Sequence, residues 1–378
     1  MRAPGLYLAR VQKGLLQTDS TQLPQNSPPG QPDPVTQHHP ATTKRRVLVT
    51  GGAGFLGQAL VRELRAAHLG LDHAVELIAY DLIDAPELPT IRGDILDPVA
   101  LGAALVGIDA VIHGAVAVDW SDLHGAHLEK VNVQGTQTLL DACQAAGVQY
   151  FVHTSTMDVL CGDGDVRMAT EKTPYPQRFL DAYGSTKAES ERRVRAASAH
   201  LATTILRFSA MYGEADPYKV PSMLAEARAG RLLFRIGDGT AHMQPVYVGN
   251  AANATLRALD RLFADDVSVI GRTFFVADHP AANFFDWMAP ILAGLGHPLP
   301  DRHLPEGIAR CIGASSEWFA KILGGRPALT RSSVRALCET ITVDDSDTRT
   351  CLRYSPPYSS DEAIARTVAW FSQTGSKI

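Results

Sequence analysis

The chain has 378 residues, 45% of them hydrophobic and 20% charged, with a formal net charge of −5. Such a length buries a large core and accommodates about two domains; charges of both signs are interspersed, which excludes a polybasic surface for nucleic acid or an anionic membrane. The five cysteines, Cys143, Cys161, Cys311, Cys338 and Cys351, show neither CxxC nor metal-ligand spacing; they read as thiols of a reducing, cytoplasmic setting and give metal catalysis no support.

Residues 1–43 are rich in Pro, Gln, Thr and Ser with little apolar periodicity after Leu16, and predict a disordered tail. Arg2, Arg10 and Lys13 among scattered leucines leave a weak organelle-targeting reading beside it.

Arg46-Val47-Leu48-Val49-Thr50 predicts a strand that stops at glycines, and Phe55 to Ala67 carries Phe55, Leu56, Leu60, Val61 and Leu64 at helical spacing. In this order of strand, glycine turn and helix, Gly51 supplies the tight turn. Gly54 lets backbone approach a pyrophosphate, and Gly57 lets the helix lie close on the sheet. Free N–H groups and the helix dipole would meet the phosphates. A second strand, Val75 to Tyr80, ends in Asp81, a carboxylate suited to ribose hydroxyls and hostile to a 2′-phosphate, so NAD is expected over NADP; no arginine follows to offset it. After a third short strand, Asp94 can bond an adenine amino group and Ile95 can pack the ring, or Asp94 can simply form an Asx turn.

Gln149 to His153 predicts a buried strand followed by Thr154-Ser155-Thr156, a cluster of hydroxyls at the carboxyl end of a parallel strand, where ligands of open α/β sheets bind. One of them can hold a carbonyl or alcohol oxygen, or cap the next segment. Tyr183 and Lys187 are four apart on a helix predicted to run to about Ala199, so they share a face. A phenol is a poor base at neutral pH; an ammonium beside it would favour the phenolate and suit it to proton transfer.

Beyond residue 212, Ala289-Pro290 and Pro298-Leu299-Pro300 punctuate the chain, and Asp361 to Phe371 predicts a terminal amphipathic helix. The stretch Leu304 to Leu323, with Ile308, Ile312, Trp318, Phe319 and Ile322, reads first as a core-facing helix and otherwise as a lid or membrane-surface contact. No apolar run is long enough to span a bilayer.

Taken together, TGGAGFLG (Thr50 to Gly57), GDILD (Gly93 to Asp97), DAVIH (Asp109 to His113), VNVQGT (Val131 to Thr136), HTST (His153 to Thr156) and YGSTK (Tyr183 to Lys187) resemble the extended short-chain dehydrogenases/reductases. Leu206 to Glu214 and Gln244 to Ala251 narrow the resemblance to the 3β-hydroxysteroid dehydrogenase/isomerase family. The resemblance implies a Rossmann-type doubly wound parallel α/β sheet with a smaller C-terminal substrate-binding domain. It assigns 44–212 to the NAD-binding domain with 245–277 returning to it, and 213–244 and 278–378 to the substrate domain.

The resemblance makes Tyr183 the catalytic acid/base and Lys187 the ligand of the nicotinamide ribose. Thr156 holds the substrate oxygen with Ser155 as the fallback, and Asn132 steadies the active-site segment. Gly51, Gly54, Phe55, Leu56, Gly57, Asp81, Asp94, Ile95, Ala115, Phe208 and Met211 would contact NAD. Phe208 stands where the family usually has proline. Sugar-nucleotide epimerases and dehydratases, the alternative, usually place an arginine near Met243 to bind a diphosphate; a pocket without that charge suits an apolar substrate better, and His242 beside it reads as a solvated turn histidine or as a phosphate contact. The function implied is an NAD-dependent 3β-hydroxysteroid or sterol dehydrogenase, with isomerase or 4-carboxysterol decarboxylating activity as variants. Relatives often form homodimers through the YxxxK helices.

Overall fold

Alternation of apolar side chains along Arg45–Thr50 (β1) sends Val47 and Val49 to one face of a sheet and Leu48 to the other, and all three are buried. The computed structural model describes residues 44–66, 68–119, 125–323 and 329–374, which lie within a unit spanning Thr42–Ile378. The expected tail over 1–43 falls outside the described residues.

The strands are β1, β2 (Val75–Asp81), β3 (Thr90–Arg92), β4 (Ala110–His113), β5 (Tyr150–Thr156), β6 (Val166–Ala169) and β7 (Ala202–Phe208), followed by β8 (Met211–Tyr212), β9 (Arg235–Ile236), β10 (Val246–Tyr247), β11 (Thr273–Val276), β12 (His303–Leu304) and β13 (Ile341–Val343). The helices are α1 (Phe55–Leu64), α2 (Pro98–Ala104), α3 (Gly125–Leu128), α4 (Gly135–Ala146), α5 (Ala182–Ala197) and α6 (Lys219–Arg228), then α7 (Val248–Phe263), α8 (Phe284–Gly294), α9 (Glu306–Leu323), α10 (Arg331–Cys338), α11 (Ser346–Cys351) and α12 (Ser360–Thr374).

Seven strands form one parallel sheet in the order β11-β7-β5-β4-β1-β2-β3. One face packs on α1 and α7 through residues such as Leu60, Leu256 and Leu259; the other packs on α2, α4 and α5 through Leu101, Leu139 and Val194. This is the doubly wound arrangement expected. Strand order reverses between β1 and β4, and the crevice at their carboxyl ends is where such sheets bind ligands. Register brings Thr50 beside His113, Asp81 beside Arg92, and Thr156 beside Phe208 on that edge.

Three two-stranded parallel pairs, β8 with β10, β6 with β13 and β9 with β12, hold the later segments together. Pro290, read as punctuation, lies inside α8, which continues through it. A larger correction concerns α9: Ile308, Ile312, Trp318, Phe319 and Ile322 are between 46% and 58% exposed, so they do not face the core. An apolar stripe on one helix face does not by itself say whether protein covers it. Among the described residues no helix is long and apolar enough to cross a membrane.

Candidate active site

The chain leaves β1 and turns at Gly51, whose φ of +71° lies in the left-handed region. A Cβ there would also approach the backbone of Gly114 and Ala115 to 2.8 Å, so glycine is required on both counts. At Gly57 a Cβ would lie 2.3 Å from the Gly52 carbonyl oxygen; the close approach is of helix to turn rather than of helix to sheet. Gly54 is the N-cap of α1, offers no side-chain cap, and no acidic residue follows in the first turn. The amide-rich, positive end of α1 therefore opens into a cavity lined by Gly51, Gly54, Phe55, Leu56 and Gly57.

Asp81 lines the same cavity, and its Oδ2 accepts from the Ala53 N–H at 3.0 Å, which ties the end of β2 to the glycine turn. Arg92, which sequence reading passed over, is in register with Asp81 on β3 and gives Nε to Asp84 Oδ1 at 2.7 Å. Asp94 forms the Asx turn, Oδ1 accepting from Leu96 N–H at 2.9 Å, and Ile95 is buried against Gly135. Both line the cavity, as do Ala115, Phe208 and Met211. The strand continues through Phe208, paired on both sides, where a proline would lack the donor.

The second end of the cavity is built by β5 and α5. Asp181 caps α5 by accepting from Gly184 N–H at 2.8 Å, which places Tyr183 in the first turn and Lys187 one turn on. Both are buried and both line the cavity with Thr156. Lys187 Nζ donates to the Thr154 carbonyl at 2.7 Å and lies 3.3 Å from His153 Nε2. Burial pulls its pKa down to about 8, with Glu191 acting against the fall. For Tyr183, burial first, then Asp158, Tyr218 and Asp181, push the pKa well above the usual phenol value. The expected lowering by the Lys187 ammonium is not among these influences, and the protein alone holds Tyr183 as a phenol.

The three hydroxyls separate by the alternation of β5. Thr154 donates to the His113 carbonyl at 2.8 Å. Ser155 donates to Glu191 Oε1 at 2.6 Å. Thr156 accepts from Asp158 N–H at 3.2 Å, which leaves its own proton to donate. Asn132 sits in a π-helical stretch, Glu129–Gln134, a feature common at functional sites. Its side chain bonds the Ala117 backbone in both directions, at 2.8 and 3.0 Å, and donates to Thr186 at 3.2 Å. It ties the cavity wall to the residue preceding Lys187.

Sequence reading also missed what lies behind these groups. Glu191 and Arg207 form a buried ion pair, Nη2 to Oε2 at 2.7 Å, joined by the Tyr175 hydroxyl at 2.6 Å. A LRF run and a helical glutamate carry no signal that they meet. His113 is held between Thr50 Oγ1 at 2.8 Å and Thr136 Oγ1 at 2.9 Å, and burial pushes its pKa down to about 3.

The cavity has a volume of about 1010 Å³. Beyond Tyr183 its walls include Val116, Val118, Met157, Val166, Met223, Met243, Phe284, Leu337 and Ile341, with His127, Lys130 and Lys219 as cationic or basic members. Met243, where a diphosphate-binding arginine would stand, is held by bridges to Ala282 and Ile341. His242 is exposed and is not among the lining residues.

A doubly wound sheet with a glycine turn at its switch point and a Tyr-Lys helix across the crevice defines an extended short-chain dehydrogenase/reductase, an NAD-dependent oxidoreductase acting on CH–OH groups. Residues 48–306 match the model of the 3-beta hydroxysteroid dehydrogenase/isomerase family, and the chain belongs to that family. It is 34% identical over 335 residues to a 2-alkyl-3-oxoalkanoate reductase of Stenotrophomonas maltophilia, covering 86% of this chain and 98% of the relative. It is 30% identical over 352 residues to a decarboxylating sterol-4-alpha-carboxylate 3-dehydrogenase of Saccharomyces cerevisiae, covering 86% and 98%. Among solved structures, a dTDP-glucose 4,6-dehydratase of Streptomyces venezuelae with NAD bound superposes with a TM-score of 0.68 at 25% identity, covering 88% of this chain and 98% of that one.

Proposed function

We propose that the chain oxidises the 3β-hydroxyl of a steroid or sterol with NAD. The observation that carries this reading is the meeting of Thr156, Tyr183 and Lys187 with the glycine turn in one cavity whose remaining walls are largely apolar and carry Met243 instead of an arginine. The open amide end of α1 and the carboxylate of Asp81 fit the pyrophosphate and adenosine ribose of NAD. Asp94 and Ile95 would border the adenine, Phe55, Leu56 and Ala115 the dinucleotide path, and Phe208 and Met211 the nicotinamide.

NAD, when bound, supplies the hydride acceptor and a positive charge that lowers the cost of a phenolate. As the phenolate, its own proton having left to solvent, Tyr183 takes the carbinol proton, and Thr156 donates to the carbinol oxygen and aligns it. Lys187 holds a ribose hydroxyl and balances charge on Tyr183. The segments 213–244 and 278–378 supply the substrate half of the cavity, through residues such as Met223, Met243, Phe284 and Leu337. A 4-carboxylated sterol belongs to the same proposal, since oxidation at C3 then makes a β-keto acid that loses CO₂ readily. Five free thiols support a cytoplasmic setting, and pairing through the α5 helices as a homodimer belongs to the same proposal.

Tyr183→Phe tests the assignment. Turnover should fall at least about 10³-fold while NAD binding, followed by fluorescence quenching, persists. Retained turnover overturns the assignment.

A further inference from the structure

We infer that His153 is a positioning residue for Lys187: its Nε2 accepts a hydrogen bond from the Lys187 ammonium and holds that charge on the cleft side of α5. For its catalytic consequence the inference rests on the proposed role of Lys187.

Lys187 carries three donors. One goes to the Thr154 carbonyl at 2.7 Å, and the next acceptor in reach is His153 Nε2 at 3.3 Å. His153 is fully buried on β5, and its Nδ1 has no hydrogen-bond partner among the described residues. To accept at Nε2 the ring must carry its proton on Nδ1, where a buried N–H is left unsatisfied at a cost in stability. The one bond this ring makes among the described residues is therefore the one to Lys187. An apolar residue of similar size would avoid that cost and would leave the ammonium with one protein acceptor fewer.

Burial first, then the charges of Lys187 and Arg195 on α5, hold the pKa of the ring well below the usual value and keep it a neutral acceptor beside His113 on β4. His113 is itself kept neutral between Thr50 and Thr136. Glu191 supports the ammonium from one turn further along α5, while its carboxylate is shared among Arg207 on β7, Ser155, Tyr175 and Arg195. Thus His153 steadies Lys187 without adding a charge, and a ring that became cationic would repel it.

The test is a ¹³C NMR titration of lysine Cε in the purified full chain, with the Lys187 resonance identified by its loss in Lys187→Met. In His153→Leu the Lys187 midpoint should fall by about one pH unit, since a hydrogen bond to a charged group is lost; in His153→Gln, whose amide can accept, it should stay near the parent value. The falling, high-pH limb of kcat/KM should move with the midpoint, a shift that a packing defect alone would not produce. Should His153→Leu fail to fold, His153→Met is read in its place. An unchanged midpoint, or the same fall in His153→Gln, overturns the inference. A moved midpoint together with full turnover of Tyr183→Phe would instead overturn the proposed chemistry and leave the role of His153 standing.

Discussion

Ser155 Oγ lies 2.6 Å from Oε1 of Glu191, so the middle hydroxyl of Thr154-Ser155-Thr156 is committed to a buried ion pair while Thr156 keeps a proton to donate at the cleft. The two positions should therefore respond differently to substitution. Thr156→Val should lower kcat roughly 100-fold, as for loss of one donor to a reacting oxygen, with Thr156→Ser restoring most of it. Ser155→Ala should leave kcat within about threefold and cost roughly 1–3 kcal/mol in urea unfolding, because Glu191 loses a donor in a buried setting. Equal kinetic losses at both positions would contradict the separation.

Lys187 gives stability a signed pH dependence. Its pKa is about 8 in the folded protein against a usual 10.5, so between these values the unfolded chain holds more protons and stability rises with pH. The penalty for burying the ammonium, about 3 kcal/mol, is fully present below pH 8 and lifted by about pH 10.5. Lys187→Met escapes it. Urea unfolding of Lys187→Met and parent should therefore give a difference in ΔG that moves in the parent's favour by about 2–3 kcal/mol between pH 7 and pH 10.5. A difference that stays flat would contradict the burial of a charged Lys187.

In the proposed site Asp81 sets cofactor choice, with Arg92 in register beside it and bonded to Asp84. Asp81→Ala removes the carboxylate that repels a 2′-phosphate and leaves an arginine on the neighbouring strand end. The ratio of kcat/KM for NADP to that for NAD should rise about tenfold or more. The KM for NAD should also rise, because Ala53 loses the acceptor that holds the glycine turn. An unmoved ratio would assign the selection elsewhere.

The doubly wound sheet was legible because each strand end carries its own chemistry: glycines after Thr50, an acid after Tyr80, hydroxyls after His153. Tyr183 and Lys187 were legible because four residues on a helix fix a common face. The choice between Ser155 and Thr156 was half legible, since strand alternation puts neighbours on opposite faces, yet which face meets the cleft depends on the whole sheet. Arg92 was missed because only strand pairing brings it beside Asp81, eleven residues earlier. The Glu191–Arg207 pair joins a helix to a strand, and no local pattern encodes that meeting. For α9 the periodicity was read correctly as a helix, but the stripe from Ile308 to Ile322 faces outward, and amphipathic spacing is the same whether protein or something else covers it.

The most direct measurement is absorbance at 340 nm of the purified protein with NAD and a panel of 3β-hydroxysteroids, including a 4-carboxylated sterol, with UDP-sugars assayed in parallel for epimerisation. The account predicts NADH formation with a steroid or sterol and no change in the sugars. Epimerised sugar without NADH from any steroid would contradict it and return the cavity to the sugar-nucleotide class.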